Sequence, residues 1–184
     1  MNKLIGDFIQ RNARVLDLGC GDGSLLAFLK KNNQVKGLGL EIDHKKIQEC
    51  LQKDVSVIDQ DIDSGLSNFQ DQSFDAVIMS QSIQALRKPE VALEEITRIG
   101  KEAIISIPNF ANWRCRLQLI FGGTMPVSSA LPHDWYSTPN IHLCSLKDFE
   151  KLCVDHGADI LCLLYTSDAA DDSACVVVGG GGVG

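Results

Sequence analysis

The chain lacks what a disulfide scaffold, a zinc module or a secreted precursor would need. Its seven cysteines, at 20, 50, 115, 144, 153, 162 and 175, form no Cys-x-x-Cys pair and no Cys/His cluster at zinc-ligand spacing, and their number is odd. Reduced, mostly buried thiols are the expectation. No stretch approaches the roughly 18 apolar residues of a membrane span, and the amino-terminal MNKLIGDFIQRNARV has neither the apolar core nor the cleavage site of a signal peptide. A cytoplasmic protein with no membrane partner is expected. Cationic charge is also scarce, with 17 Lys and Arg against 24 Asp and Glu and a net charge of -7. Nucleic-acid affinity rests on Lys and Arg displacing counterions from phosphates, so a nucleic-acid partner is not expected. Two catalytic signatures are missing as well. No Gly-Lys-Ser/Thr follows a glycine loop, and Ser80 and Ser82 sit in no Gly-x-Ser-x-Gly elbow.

What is present is an ordinary globular composition, 45% apolar and 22% charged over 184 residues, enough for one domain with a substantial core. Short apolar runs alternate with segments of helical period: ARVLDL then SLLAFLKK, VKGLGLE then HKKIQECLQK, VSVID, FDAVIMS then PEVALEEITRI, EAIISIP, and later SLKDFEKLCVDHG. Such alternation predicts an α/β fold, a central mostly parallel sheet with helices on both faces. Pro89 suits a first helical turn. Ser145 with Asp148 three residues on reads as a capping box, and Gly157 as a helix stop.

Two stretches break the pattern. Residues 108 to 144 hold four of the five prolines and both tryptophans, with a helix expected from Ala111 to Phe121; an aromatic-rich insertion of this length usually builds a binding surface or lid. From about residue 163 the chain shifts to small residues and a glycine run, YTSDAADDSACVVVGGGGVG. This tail resembles translated adapter or vector sequence and is set aside as non-native, leaving 1–162 as the domain.

The glycine loop VLDLGCGDGSLL, between the first strand and its helix, lets a ligand approach the backbone. Gly19, Gly21 and Ser24 occupy the three places of the dinucleotide fingerprint, so the third glycine is missing and the spacing is Gly-x-Gly-x-Gly through Gly23. Asp17 before the turn and Asp22 within it would repel a pyrophosphate and attract an ammonium or sulfonium. Glu41, at the end of the second strand, is placed to accept hydrogen bonds from ribose hydroxyls. Asp61, after the third, can accept from an adenine amino group.

VLDLGCGDG, GLEID, QDID and FDAVIMSQSIQAL, in this order, resemble the motifs of class I S-adenosylmethionine-dependent methyltransferases, over residues 14 to about 160. The resemblance implies a Rossmann-like class I methyltransferase fold with S-adenosylmethionine as cofactor. It places Asp17, Gly19, Cys20, Gly21 and Gly23 against the methionine part and Glu41 with Ile42 at the ribose. Asp61 and Ile62 fall at the adenine, and Gln81 on the methionine side. The stretch SIPNFANWRCRLQLIFGGTMPVSSALPHDWYSTPNIHLCSLKDFEKLC is similar to the methionine biosynthesis family MetW. That family implies association with homoserine O-acyltransferase, and it usually continues to a closing antiparallel strand where this chain has its unusual tail.

Two functions follow from the resemblance: a cofactor-binding subunit that supports a homoserine O-acyltransferase, or a methyltransferase acting on a small molecule. Methyl transfer is an in-line displacement for which a base is optional, so sequence leaves the catalytic residues unassigned. His133, Asp134, Tyr136 and His142 are the candidate bases, with His142 matching a histidine common before the last long helix in related methyltransferases. Trp113, Phe121, Trp135 and Tyr136 could stack on an acceptor, face a partner or pack inside the fold, and Arg114 and Arg116 suit an anionic substrate or a partner's acidic rim.

Overall fold

The computed structural model describes residues 1–127, 132–165 and 173–180 and gathers the alternating segments into one seven-stranded sheet. In chain order the strands are β1 (Arg14–Leu18), β2 (Lys36–Glu41), β3 (Ser56–Asp59), β4 (Phe74–Ser80), β5 (Gly100–Pro108), β6 (Ala158–Tyr165) and β7 (Ser173–Gly180). They lie side by side as β3-β2-β1-β4-β5-β7-β6. All pairs from β3 to β5 are parallel, and β7 runs antiparallel to both β5 and β6.

Successive residues of a strand point to opposite faces, and here both faces are covered, which is why the strands read as apolar throughout. Val15, Ile78 and Ile104 face a core completed by Ile5 of α1 (Asn2–Phe8), Leu25, Leu26 and Leu29 of α2 (Ser24–Asn33) and Cys50 of α3 (His44–Gln52). Their strand neighbours Leu16, Val77, Met79 and Ile105 face the other core. There they meet Leu93 and Ile96 of α4 (Pro89–Ile99) and Leu146, Phe149 and Cys153 of α6 (Leu146–Asp155). Pro89 opens α4 at its first turn. Ser145 and Asp148 form a reciprocal capping box on α6, and Gly157 just beyond that helix has φ +66°. The helix expected from Ala111 to Phe121 is shorter, α5 (Trp113–Leu117), and passes into a π-helical turn over Gln118–Gly122. Among the described residues no helix is long and apolar enough to cross a membrane.

The boundary drawn at residue 162 moves. Residues 158–165 form β6, and residues 173–180, set aside as tail, insert as β7 between β5 and β6. Ala174, Cys175, Val176, Val177 and Val178 are all buried and contribute to both cores. The physical reason is visible in SACVVVGG: a β-branched run fits a central strand, and a glycine run at its end obscures that signal. Residues 166–172 and 181–184 of that tail lie outside the described residues.

From β1 the chain proceeds to β2 on one side, while β4 pairs with β1 on the other. In an open α/β sheet this reversal leaves a crevice at the carboxyl ends of the strands, the usual place for a ligand.

Candidate functional site

The loop from Gly19 to Gly23 leaves β1 at that crevice. Gly19, Gly21 and Gly23 have φ of +73°, +58° and +74°, a region L side chains rarely adopt. Gly19 and Cys20 both donate their backbone N–H to Leu40 O at 3.0 Å, tying the loop to β2. A Cβ on Gly39 of β2 would overlap Cys20, so that glycine is needed for the close approach of loop and strand.

Glu41, at the end of β2, is buried and organises the loop. Its Oε2 accepts from Gly21 N at 2.9 Å, and its Oε1 from Ile42 N at 2.9 Å and Asp43 N at 3.1 Å. An ionised carboxylate has about four lone-pair sites, so three are occupied and roughly one, on Oε2, remains for a ligand hydroxyl. Asp17 lies beneath the loop at 2% exposure, and its Oδ1 has no hydrogen-bond partner among the described residues. Burial, and then the charge of Glu41, push its carboxyl up to about 7. A buried, unpaired acid of this kind is where a ligand cation would be stabilised.

Asp22 does not share this role. Hydrogen bonds from Lys53 and Ser24 hold its carboxyl down at about 2, so its charge is already neutralised by Lys53. The sequence-based attraction of a cation to the loop therefore rests on Asp17 and Glu41. Cys20 and Cys50 bring their sulfurs to 3.8 Å, and burial pushes both thiols above the usual range, keeping them neutral. The described cysteines are all free thiols.

A cavity of about 480 Å³ opens beside the loop, within the size range of small-molecule sites. Six of the residues singled out from sequence line it: Gly19, Glu41, Ile42, Asp61, Ile62 and Gln81. Asp17, Cys20, Gly21 and Gly23 are not among its lining residues. Asp61 Oδ1 accepts from Asp63 N at 2.9 Å and caps the 3-10 turn Ile62–Ser64. Gln81 has φ +52°, and its N–H meets Ser106 O at 2.9 Å. Ser82 Oγ donates to Leu18 O at 3.1 Å, joining the ends of β4 and β1.

Sequence reasoning missed Asp43, Lys46, Asp63 and Pro139 on the same wall. Asp43 carries a helix-cap signal, since its side chain accepts from Lys45 N, but nothing local marks Pro139, which arrives from the distant insertion. Four acidic residues, Glu41, Asp43, Asp61 and Asp63, thus stand among the lining residues with one lysine, Lys46. This donor set fits a nucleoside with a cationic appendage and disfavours a pyrophosphate.

The candidate bases lie elsewhere. His133, Asp134, Tyr136 and His142 line no part of this cavity. His133 lines a second cavity, while Tyr136 Oη donates to Asp134 Oδ2 at 3.3 Å and His142 N donates to Gln84 O at 3.0 Å. The insertion's aromatics are not packed inside the fold: Phe121 is 82% exposed and Trp135 and Tyr136 are each 73% exposed. Arg114 lies 5.4 Å over the Trp113 ring. Among the described residues no group of His, Cys, Asp and Glu could hold a metal ion.

The raised Asp17 carboxyl has a consequence for stability. In the unfolded chain it ionises near 3.8, and in the folded chain near 7, so between these values the folded state holds the extra proton. Stability of the ligand-free protein is expected to fall as pH rises from about 4 to about 7 and to level above that, by up to about 4 kcal/mol. Urea melts of Asp17→Asn across this range should lose that slope; an identical slope would show that Asp17 is not the titrating group.

The fold is similar to that of solved S-adenosylmethionine-dependent methyltransferases. A methyltransferase of this class from Archaeoglobus fulgidus superposes with a TM-score of 0.72 at 14% identity, covering 97% of this chain and 94% of its own. Magnesium protoporphyrin IX methyltransferase from Synechocystis PCC 6803, solved with bound S-adenosylhomocysteine, gives 0.71 at 20% identity, covering 96% and 78%. Within that fold, residues 2–177 match the family model of methionine biosynthesis protein MetW, and the chain belongs to that family. The bifunctional methionine biosynthesis protein MetXA/MetW of Rhodopirellula baltica is 33% identical over 155 residues, 79% of this chain. The chain spans a quarter of the length of that relative.

Proposed function

We propose that the chain binds S-adenosylmethionine in the acidic cavity and serves as a subunit that supports a homoserine O-acyltransferase in methionine biosynthesis. The observation that carries the cofactor half is the pairing of Asp17, buried with an unpartnered oxygen, with a cavity walled by Glu41, Asp43, Asp61 and Asp63. Glu41 would take a ribose hydroxyl, Asp61 and Ile62 would flank the adenine, and Gln81 with Gly19 would face the methionine part. Bound there, the cofactor supplies a sulfonium charge and a transferable methyl group. Because a cation favours ionised Asp17, affinity should strengthen as pH rises toward 7.

The partner half is supported by the relative that carries MetXA and MetW in one polypeptide. Trp113, Phe121, Trp135 and Tyr136 are exposed, Arg114 lies against the Trp113 ring, and exposed aromatics with arginine suit a protein surface with an acidic rim. S-adenosylmethionine is made from methionine, so a subunit that senses it could report the pathway's output.

Methyl transfer to a small acceptor is the second reading, favoured by the fold. A pull-down and acyltransferase assay with and without the chain, run beside a tritiated-methyl transfer test on cell extract, separates the two. Complex formation with altered acyltransferase activity and no labelled product is expected. A labelled small product with no acyltransferase effect would establish the enzyme instead.

A further inference from the structure

One buried polar side chain stands between the cofactor cavity and the aromatic insertion, and neither reading above uses it. Gln84 lies in the 3-10 turn Ile83–Ala85 after β4 and is 4% exposed. Its Nε2 donates to Gln81 O at 2.7 Å and to Asn140 Oδ1 at 3.3 Å. Its backbone oxygen accepts from both Ile141 N and His142 N at 3.0 Å.

These partners belong to two cavities. Gln81 and Pro139 line the acidic one. Asn140 and Ile141 line a second cavity of about 350 Å³, together with Phe110, Met125 and Trp135. The segment from Pro139 to Ile141 is therefore a shared wall, and Gln84 fixes it against the end of β4.

The arrangement carries two costs at one corner. Gln84 Oε1 is buried without a partner among the described residues, and Gln81 holds a φ of +52°. Strain and unsatisfied polar groups that persist in this way collect where a structure must respond to a ligand.

We infer that Gln84 is a positioning residue that couples the two cavities, so that a ligand seated against Gln81 and Pro139 shifts Asn140 and Ile141 and changes the surroundings of Trp135. The inference rests on the cofactor-binding reading and deepens it: occupancy of the acidic cavity is reported at the aromatic face. The coupling requires contacts that differ between the filled and empty cavity, and it would then act in either direction.

Trp113 and Trp135 are the two tryptophans, and neither lines the acidic cavity. In a Trp113→Phe chain, Trp135 alone reports, and S-adenosylmethionine serves as the probe. Calorimetry should show binding, and Trp135 emission should change with the same midpoint. At saturating probe, Gln84→Met and Asn140→Leu should cut that emission change at least twofold, while Asn140→Asp, which keeps the acceptor for Gln84 Nε2, should retain it. The Asn140 pair reads the coupling even if Gln84→Met folds poorly. Calorimetric binding with a silent Trp135, or full responses in both Gln84→Met and Asn140→Leu, overturns the coupling and leaves the cofactor reading standing. No binding heat overturns the cofactor reading and the coupling with it.

Discussion

Glu41→Ala is expected to weaken S-adenosylmethionine binding about a hundredfold, and Asp17→Ala about tenfold or more. Hydrogen bonds to a charged group contribute about 1.5 to 3 kcal/mol, and each 1.4 kcal/mol is roughly a factor of ten in affinity. Glu41 stands at the upper end because it does two things. It offers a lone pair and a negative charge to the ligand, and it holds Gly21, Ile42 and Asp43 by their backbone N–H groups. Removing it leaves those donors without an acceptor, so the melting temperature should fall too, by about 2 to 4 °C per kcal/mol lost in a chain of this size. Asp17 behaves differently. Its ionised form is costly in the empty protein, so Asp17→Ala should stabilise the ligand-free chain at pH 8 while weakening binding. Calorimetry and thermal melts on the same samples separate these effects. Unchanged affinity in both variants would remove the site assignment.

The second large effect is expected at Gly23, the residue before α2. Its φ of +74° disfavours any residue with a side chain, and a Cβ there would sit 2.9 Å from Cys50 Sγ. The left-handed conformation costs about 1 to 2 kcal/mol and overpacking typically about 1 to 3 more. Gly23→Ala should therefore lose about 2 to 5 kcal/mol in denaturant melts. Adding Cys50→Ala should recover the overpacking share and leave the backbone share. Complete recovery in the double variant, or a single variant as stable as the parent, would contradict this account of the loop.

The alternation of apolar runs and helical segments made β1 to β5 legible, because a parallel sheet covered on both faces demands such runs. The carboxylates at the strand ends were legible for a related reason: Glu41 and Asp61 end apolar stretches, and a charge at that place must face a crevice. β7 was not legible, since its valines stand among small residues and a glycine run that carry no period. Nor was the exposure of Trp135 and Phe121, because an aromatic residue in an irregular segment reads equally as core or surface. Asp22 looked like part of the site until Lys53, thirty-one residues away, was found against it. Gln84 and Pro139 gave no local signal, as their importance comes from the meeting of β4's end with the distant insertion.

The cavity is expected to select a cationic adenosyl ligand over a pyrophosphate. Paired calorimetric titrations of the unaltered chain with S-adenosylmethionine and with NAD at pH 8 decide this selectivity. Saturable heat with S-adenosylmethionine and none with NAD is the predicted result; binding of NAD with S-adenosylmethionine silent would contradict it.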